Sequence, residues 1–150
     1  MIKVILLKIW RILPGWMQIV LSRIIRPKFQ VFAAAVIFDD ENRLMLVKST
    51  YQRINPWGLP GGSLEYGETP EEAVVREVWE ETSLKVDIEE LYFVKSWIPD
   101  RIGIYYLCSI ADGKFQPSDE VSEHGYFSLN DLPDVRPLDV ELIKQIYDRE

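Results

Sequence analysis

The chain has 150 residues, 47% of them hydrophobic and 12% aromatic, enough to bury one good core and too few for two ordinary domains. Its net charge of −7 argues against sequence-independent binding along a nucleic-acid backbone, which needs a basic surface. One cysteine and one histidine exclude an internal disulfide and leave no soft ligand set for zinc. Cys108, in the run Tyr105-Tyr106-Leu107-Cys108, reads as a packing thiol in a reducing, cytoplasmic setting, and His124 as a loop or surface residue.

Residues 1–28 stand apart. They hold six basic side chains (Lys3, Lys8, Arg11, Arg23, Arg26 and Lys28) and no acidic one, so the other 122 residues carry all 24 acids against 11 bases. Pro14-Gly15 breaks this segment in two. At about 100° per residue, Ile2, Ile5, Leu6, Ile9, Trp10, Ile12 and Leu13 share one arc opposite Lys3, Lys8 and Arg11, the pattern of an amphipathic helix. Its apolar stretches are too short to span a bilayer, and no small-residue cleavage site follows them. The segment either packs on the domain or against a second copy as a homodimer, or lies on an anionic membrane as a peripheral contact.

From Phe29 the pattern changes. Residues 31–38 read as a buried strand ending at the turn Asp39-Asp40-Glu41-Asn42, with Leu44-Met45-Leu46-Val47 as its hairpin partner. A loop, Asn55-Pro56-Trp57-Gly58-Leu59-Pro60-Gly61-Gly62, leads towards a helix. Apolar runs over 86–97 and 102–110 read as further strands, and 138–147 has helical spacing. Strands and helices thus alternate through one α/β or α+β unit.

The helix after the glycine loop has a well-specified start: Thr69 as cap, Pro70 at the first helical position and Glu72 to close a capping box. Its wheel places Val74, Val75, Val78 and Trp79 on a core-facing arc. Glu77, Glu80 and Glu81 fall within about 100° of one another beside Ala73. Like charges at these spacings repel by a few tenths of a kcal/mol per pair. A hard divalent cation with oxygen ligands would compensate, and Mg²⁺, which takes a few carboxylates plus water and substrate phosphate, suits such a face.

Residues 62–84 carry Gly62, Glu68, Arg76, Glu77, Val78, Glu80, Glu81 and Leu84 at spacings that resemble the Nudix box, G-x5-E-x7-R-E-U-x-E-E-x-G-U, where U is bulky and aliphatic. Ser83 is the one departure, standing where the box has its last glycine; that position takes a left-handed backbone at the helix end, which costs a non-glycine residue about 1–2 kcal/mol. The preceding Trp57-Gly58-Leu59-Pro60-Gly61-Gly62 and the later Tyr126-Phe127-Ser128-Leu129-Asn130-Asp131-Leu132-Pro133 are also similar to family segments. The resemblance covers residues 29–150 and not 1–28.

The resemblance implies an α/β fold, a Nudix-type α/β/α sandwich with a mixed β-sheet, here preceded by the N-terminal amphipathic segment. It implies a Mg²⁺ site, Mn²⁺ substituting, with Glu77, Glu80, Glu81 and the Gly61 carbonyl as ligands, Arg76 orienting the glutamates and contacting substrate, and Glu68 holding the loop. The expected reaction is hydrolysis of a phosphoanhydride in a small nucleoside diphosphate derivative: a nucleotide sugar, ADP-ribose or a (d)NTP. A carboxylate takes the attacking water's proton; the candidates are Glu77 in the box and Glu120 or Glu123 in a later loop. Trp57, Tyr51, Trp97, Tyr105 and Tyr106 are candidates for stacking on a base, with Trp57 the substrate contact beside the glycine loop. Pro99 lies at a spacing similar to that in ADP-ribose-cleaving relatives. Two other readings stay open: a module of the same fold that senses a nucleotide without cutting it, and a membrane-docked or dimerising partner protein using residues 1–28.

Overall fold

The computed structural model of the chain describes residues 10–25, 28–97 and 99–149. The amphipathic helix expected before Pro14 lies outside them except at its end, where residues 10–12 are helical. Pro14-Gly15 does break the chain, and helix α1 (Gly15–Ile25) begins there, the Pro14 carbonyl accepting from the Met17 and Gln18 amides.

Seven strands follow: β1 (Gln30–Val36), β2 (Leu44–Ser49), β3 (Trp57–Gly58), β4 (Gly61–Ser63), β5 (Leu84–Trp97), β6 (Arg101–Gly113) and β7 (Val121–Phe127). Helix α2 (Pro70–Thr82) lies between β4 and β5, and α3 (Pro137–Tyr147) follows β7. One sheet has the order β4-β1-β6-β5 and the other β3-β2-β7. The first is mixed, because β1 and β6 run parallel while β1–β4 and β5–β6 are antiparallel.

The expected hairpin between β1 and β2 is reduced to a single bridge, Phe38 to Leu44. Both edges of β1 are already taken: β6 pairs with it from Gln30 to Val36, and β4 pairs through Ala34 and Gly61. β2 therefore swings into the other sheet, between β3 and β7. His124, expected in a loop, sits on β7, half-buried with its ring stacked 4.2 Å from that of Phe115.

Strand alternation divides the core in two. Ala33, Ala35, Met45, Val47, Tyr106 and Cys108 face Ala73, Val74 and Val78 of α2. Ala34, Val36, Leu44, Leu46 and Tyr105 point the other way, against Leu142, Ile143 and Ile146 of α3. Helices thus cover both sides of the sheets, giving the α/β/α sandwich. Val75 and Trp79, expected in the core, are 41% and 48% exposed. The helix is turned so that small Ala73 lies against the sheet, which brings the neighbouring positions of Glu77 and Glu81 inward instead.

Candidate active site

Helix α2 is specified from its own sequence. The Thr69 hydroxyl accepts from the Glu72 amide, the Glu72 carboxylate accepts from the Thr69 amide, and Pro70 opens the first turn. At the far end Ser83 adopts the left-handed conformation (φ 59°, ψ 19°), its N–H donating to the Trp79 carbonyl. The departure from glycine therefore leaves the helix end in the geometry that glycine would favour. Gln116 N–H satisfies the Thr82 carbonyl at 3.0 Å.

Arg76 is the hub of the charged face. Its guanidinium donates to both oxygens of Glu68 (2.8 and 3.0 Å), to Glu77 (2.9 Å), to Glu80 (3.3 Å) and to the Ser63 carbonyl (3.3 Å). The two-pronged bond to Glu68 spans the loop between β4 and α2, and it holds the Glu68 carboxyl below the usual carboxylate range. Glu68 also accepts from the Glu65 amide.

Glu81 behaves differently. It accepts a hydrogen bond from the Gly61 amide at 2.9 Å. Burial, then the nearby charges of Glu77, Glu120 and Glu80, push its carboxyl up to about 8 against that bond. Burial also raises Glu77, with the Arg76 bond opposing. Both glycines before the helix are needed by this geometry. A side chain on Gly62 would collide with the Glu77 carboxylate, and one on Gly61, at φ +145°, with the Ala33 carbonyl.

Of these groups, Gly61, Gly62 and Glu81 border a cleft of about 560 Å³, walled by β1, the loop from Ser49 to Leu59, the β5–β6 turn, Glu120-Val121 and the start of α3. Gly61, Gly62, Glu81, Glu120 and Trp57 line it; Glu68, Arg76, Glu77, Glu80 and Glu123 do not. Glu123 faces away, paired with Lys48 at 2.7 Å. Trp57 packs edge-to-face on Phe127, 5.1 Å between centroids. Tyr51, 69% exposed, stands at the rim. Trp97, Pro99 and Tyr105 also line the cleft, Tyr105 nearly fully buried and accepting from the Trp97 indole N–H at 3.2 Å, whereas Tyr106 lies on the opposite side of β6, its hydroxyl donating to Glu71.

Among the described residues no three His, Cys, Asp or Glu side chains converge as a ready metal cage. Glu77 and Glu80 turn to Arg76 instead, as carboxylates do when a guanidinium is the nearest cation. The donors remain all oxygen, two of them in raised carboxyls, a set suited to a hard divalent ion and not to a soft one. Sequence reasoning missed the far wall: Gln30, Phe32, Arg101, Arg136 and Asp139. Arg136 at the start of α3 is aimed by Asp139, 2.6 Å from its Nε. The only local hint was Arg136-Pro137 ahead of a helix.

The model of the NUDIX domain matches residues 28–148. The chain is 38% identical over 107 residues to an ADP-ribose pyrophosphatase of Methanocaldococcus jannaschii, the match covering 65% of this chain and 61% of that protein. It therefore spans about three-fifths of that relative's length. In three dimensions it is similar to a NUDIX hydrolase from Nitrosomonas europaea, with TM-score 0.72, 25% identity, and 83% of this chain and 73% of that one covered. It is also similar to a UDP-X diphosphatase, with TM-score 0.69, 25% identity, and coverage of 91% and 72%. A family model that takes in the glycine loop, the capped helix and both sheets leaves one assignment: the chain belongs to the Nudix family.

Proposed function

We propose that the chain is a Mg²⁺-dependent hydrolase that cleaves the diphosphate of a nucleoside diphosphate joined to a second group, such as a nucleotide sugar or ADP-ribose, with (d)NTPs as the smaller alternative. Glu81 carries this reading: a carboxylate held by the Gly61 amide, charged at a cost, at one end of a cleft of nucleotide size. The relatives support it, one in sequence being an ADP-ribose pyrophosphatase and one in structure a UDP-X diphosphatase.

Glu77, Glu80, Glu81 and the Gly61 carbonyl would hold the cation, with Mn²⁺ able to replace Mg²⁺. When bound, it offsets the negative charge that protects a diphosphate from attack. The chain supplies the rest. Arg76, braced by Glu68, sets the positions of Glu77 and Glu80; it does not line the cleft, and so it acts through those carboxylates and not as the substrate contact expected from sequence. Glu120, on the cleft wall, accepts the proton of the attacking water; Glu77 is tied to Arg76 and Glu123 to Lys48, which leaves both less suited to that role. Trp57 presents an apolar wall to the nucleoside. The buried free thiol of Cys108 agrees with a reducing, cytoplasmic setting.

A panel of ADP-ribose, nucleotide sugars, dinucleoside polyphosphates and (d)NTPs, assayed for released monophosphate or phosphate with and without Mg²⁺, tests this. Metal-dependent turnover of one class is expected. Saturable binding without turnover across the panel would instead make the chain a nucleotide sensor.

A further inference from the structure

Helix α1 is apolar on its outside. At about 100° per residue, Trp16, Val20 and Ile24 share one exposed stripe with Ile19 and Arg23 at its edge, while Met17, Gln18, Leu21 and Ser22, on the other side, are half-buried. Gln18 and Ser22 are on that half-buried side. The Gln18 amide reaches back to the carbonyls of Trp10 and Leu13, at 2.9 and 3.0 Å, and pins the elbow at Pro14. No residue of α1 is buried: Trp16 is 68% exposed, Ile24 and Ile25 are each 72%, and Ile12 just before the elbow is 82%. An apolar face of this extent on an ordinary surface marks a contact that something else covers.

Charge identifies the cover. Arg11, Arg23 and Lys28, on the helix or within a few residues of its ends, are exposed, and residues 1–28 hold no acid at all, while the rest of the chain is strongly acidic. Arg23 sits beside Trp16 at the border of the apolar arc, so its stem lies along apolar surface with the charge free to meet an anion. Pairing α1 with the same helix of a second copy would bring cations together with no carboxylate on either helix to offset them. An anionic bilayer offers both an apolar interior for the arc and phosphate charge for its rim.

We propose that α1 is a membrane-docking helix that lies flat in the surface of an anionic bilayer. The acidic domain is repelled by the same surface, so the contact is confined to the helix and its flanks. The tether is short. Five residue steps separate Ile25 from Gln30, which lines the cleft, and five steps span no more than about 18 Å. Docking therefore holds the mouth of the cleft within reach of the headgroups.

Flotation of the full chain with vesicles tests the proposal, comparing phosphatidylcholine alone with phosphatidylcholine and phosphatidylglycerol in equal parts. Recovery with the anionic vesicles, weakened by salt, is expected, with little on the neutral ones. Ile24→Asp should lower the affinity at least about tenfold and Arg23→Glu about fivefold or more. Both positions are exposed, so the melting temperature and the turnover of any panel substrate should not change. Equal recovery on neutral vesicles, or none on anionic ones, would overturn the proposal. A dimer that Ile24→Asp dissociates, seen by light scattering without flotation, would make a second copy the cover instead.

Discussion

Helices α1 and α2 have 11 and 13 residues and meet opposite fates. α2 is crowded with glutamates, yet it is capped at its start, closed by Ser83 at its end and packed on the sheet through Ala73, Val74, Val78 and Thr82. α1 is mostly aliphatic and aromatic, and nothing in it is buried. Composition alone would have placed them the other way round. A polar helix can be drawn inward when its charges have work there and its caps and small residues fit; an apolar one stays outside when its partner is not part of the chain.

The comparison breaks most sharply at Glu81. Glu81→Gln should lower Mg²⁺-dependent turnover about 100-fold or more, since groups that only support metal ligands already cost about 10- to 100-fold, while circular dichroism shows the fold intact. Retained turnover would sink the metal assignment. The same residue sets a pH dependence in the metal-free protein. Its folded carboxyl lies near 8 against an ordinary value of 4.5, so the folded state keeps a proton that the unfolded chain releases. The stability tied to that proton is complete below the ordinary value and is lost as pH rises through about 8. Melting scans should show the fall, Glu81→Gln should flatten it, and added Mg²⁺ should oppose it. Glu68 works in the opposite direction: lowered by Arg76, it contributes stability above its ordinary value that is lost as pH falls.

A matched pair of valines gives the next effect in size. Val78 in α2 is fully buried and Val20 in α1 is 49% exposed. Val78→Ala should cost about 2 kcal/mol in chemical denaturation, and Val20→Ala no more than about 0.5 kcal/mol. Equal costs would mean that α1 is packed after all. The smallest effect is Ser83→Gly, which relieves a left-handed serine and should raise stability by up to about 1 kcal/mol.

What could be read from sequence was what has a local cause. The Thr69–Glu72 box, the glycine pair, the break at Pro14, the strands over 86–97 and 102–110 and the last helix all follow from neighbours within a few residues. The β1–β2 hairpin failed because long-range pairing decided it: Gln30 to Val36 prefer Arg101 to Leu107, some seventy residues away. Glu120 and Glu123 were indistinguishable in sequence. The chain turns into β7 between them, and Lys48 on the neighbouring strand claims Glu123. Arg136 and Asp139 meet the cleft only because α3 folds back across the sheet, which no spacing announces.

The alanines under α2 have a consequence of their own. Ala33 and Ala35 of β1 and Ala73 of the helix have no accessible surface, and they lie in one cluster. They act as a shim between sheet and helix. Any larger side chain at one of them would lift the helix, and with it the carboxylates, without altering a single charged group. The height of the charged face above Gly61 is thus gauged from behind by three methyl groups that take no part in the chemistry.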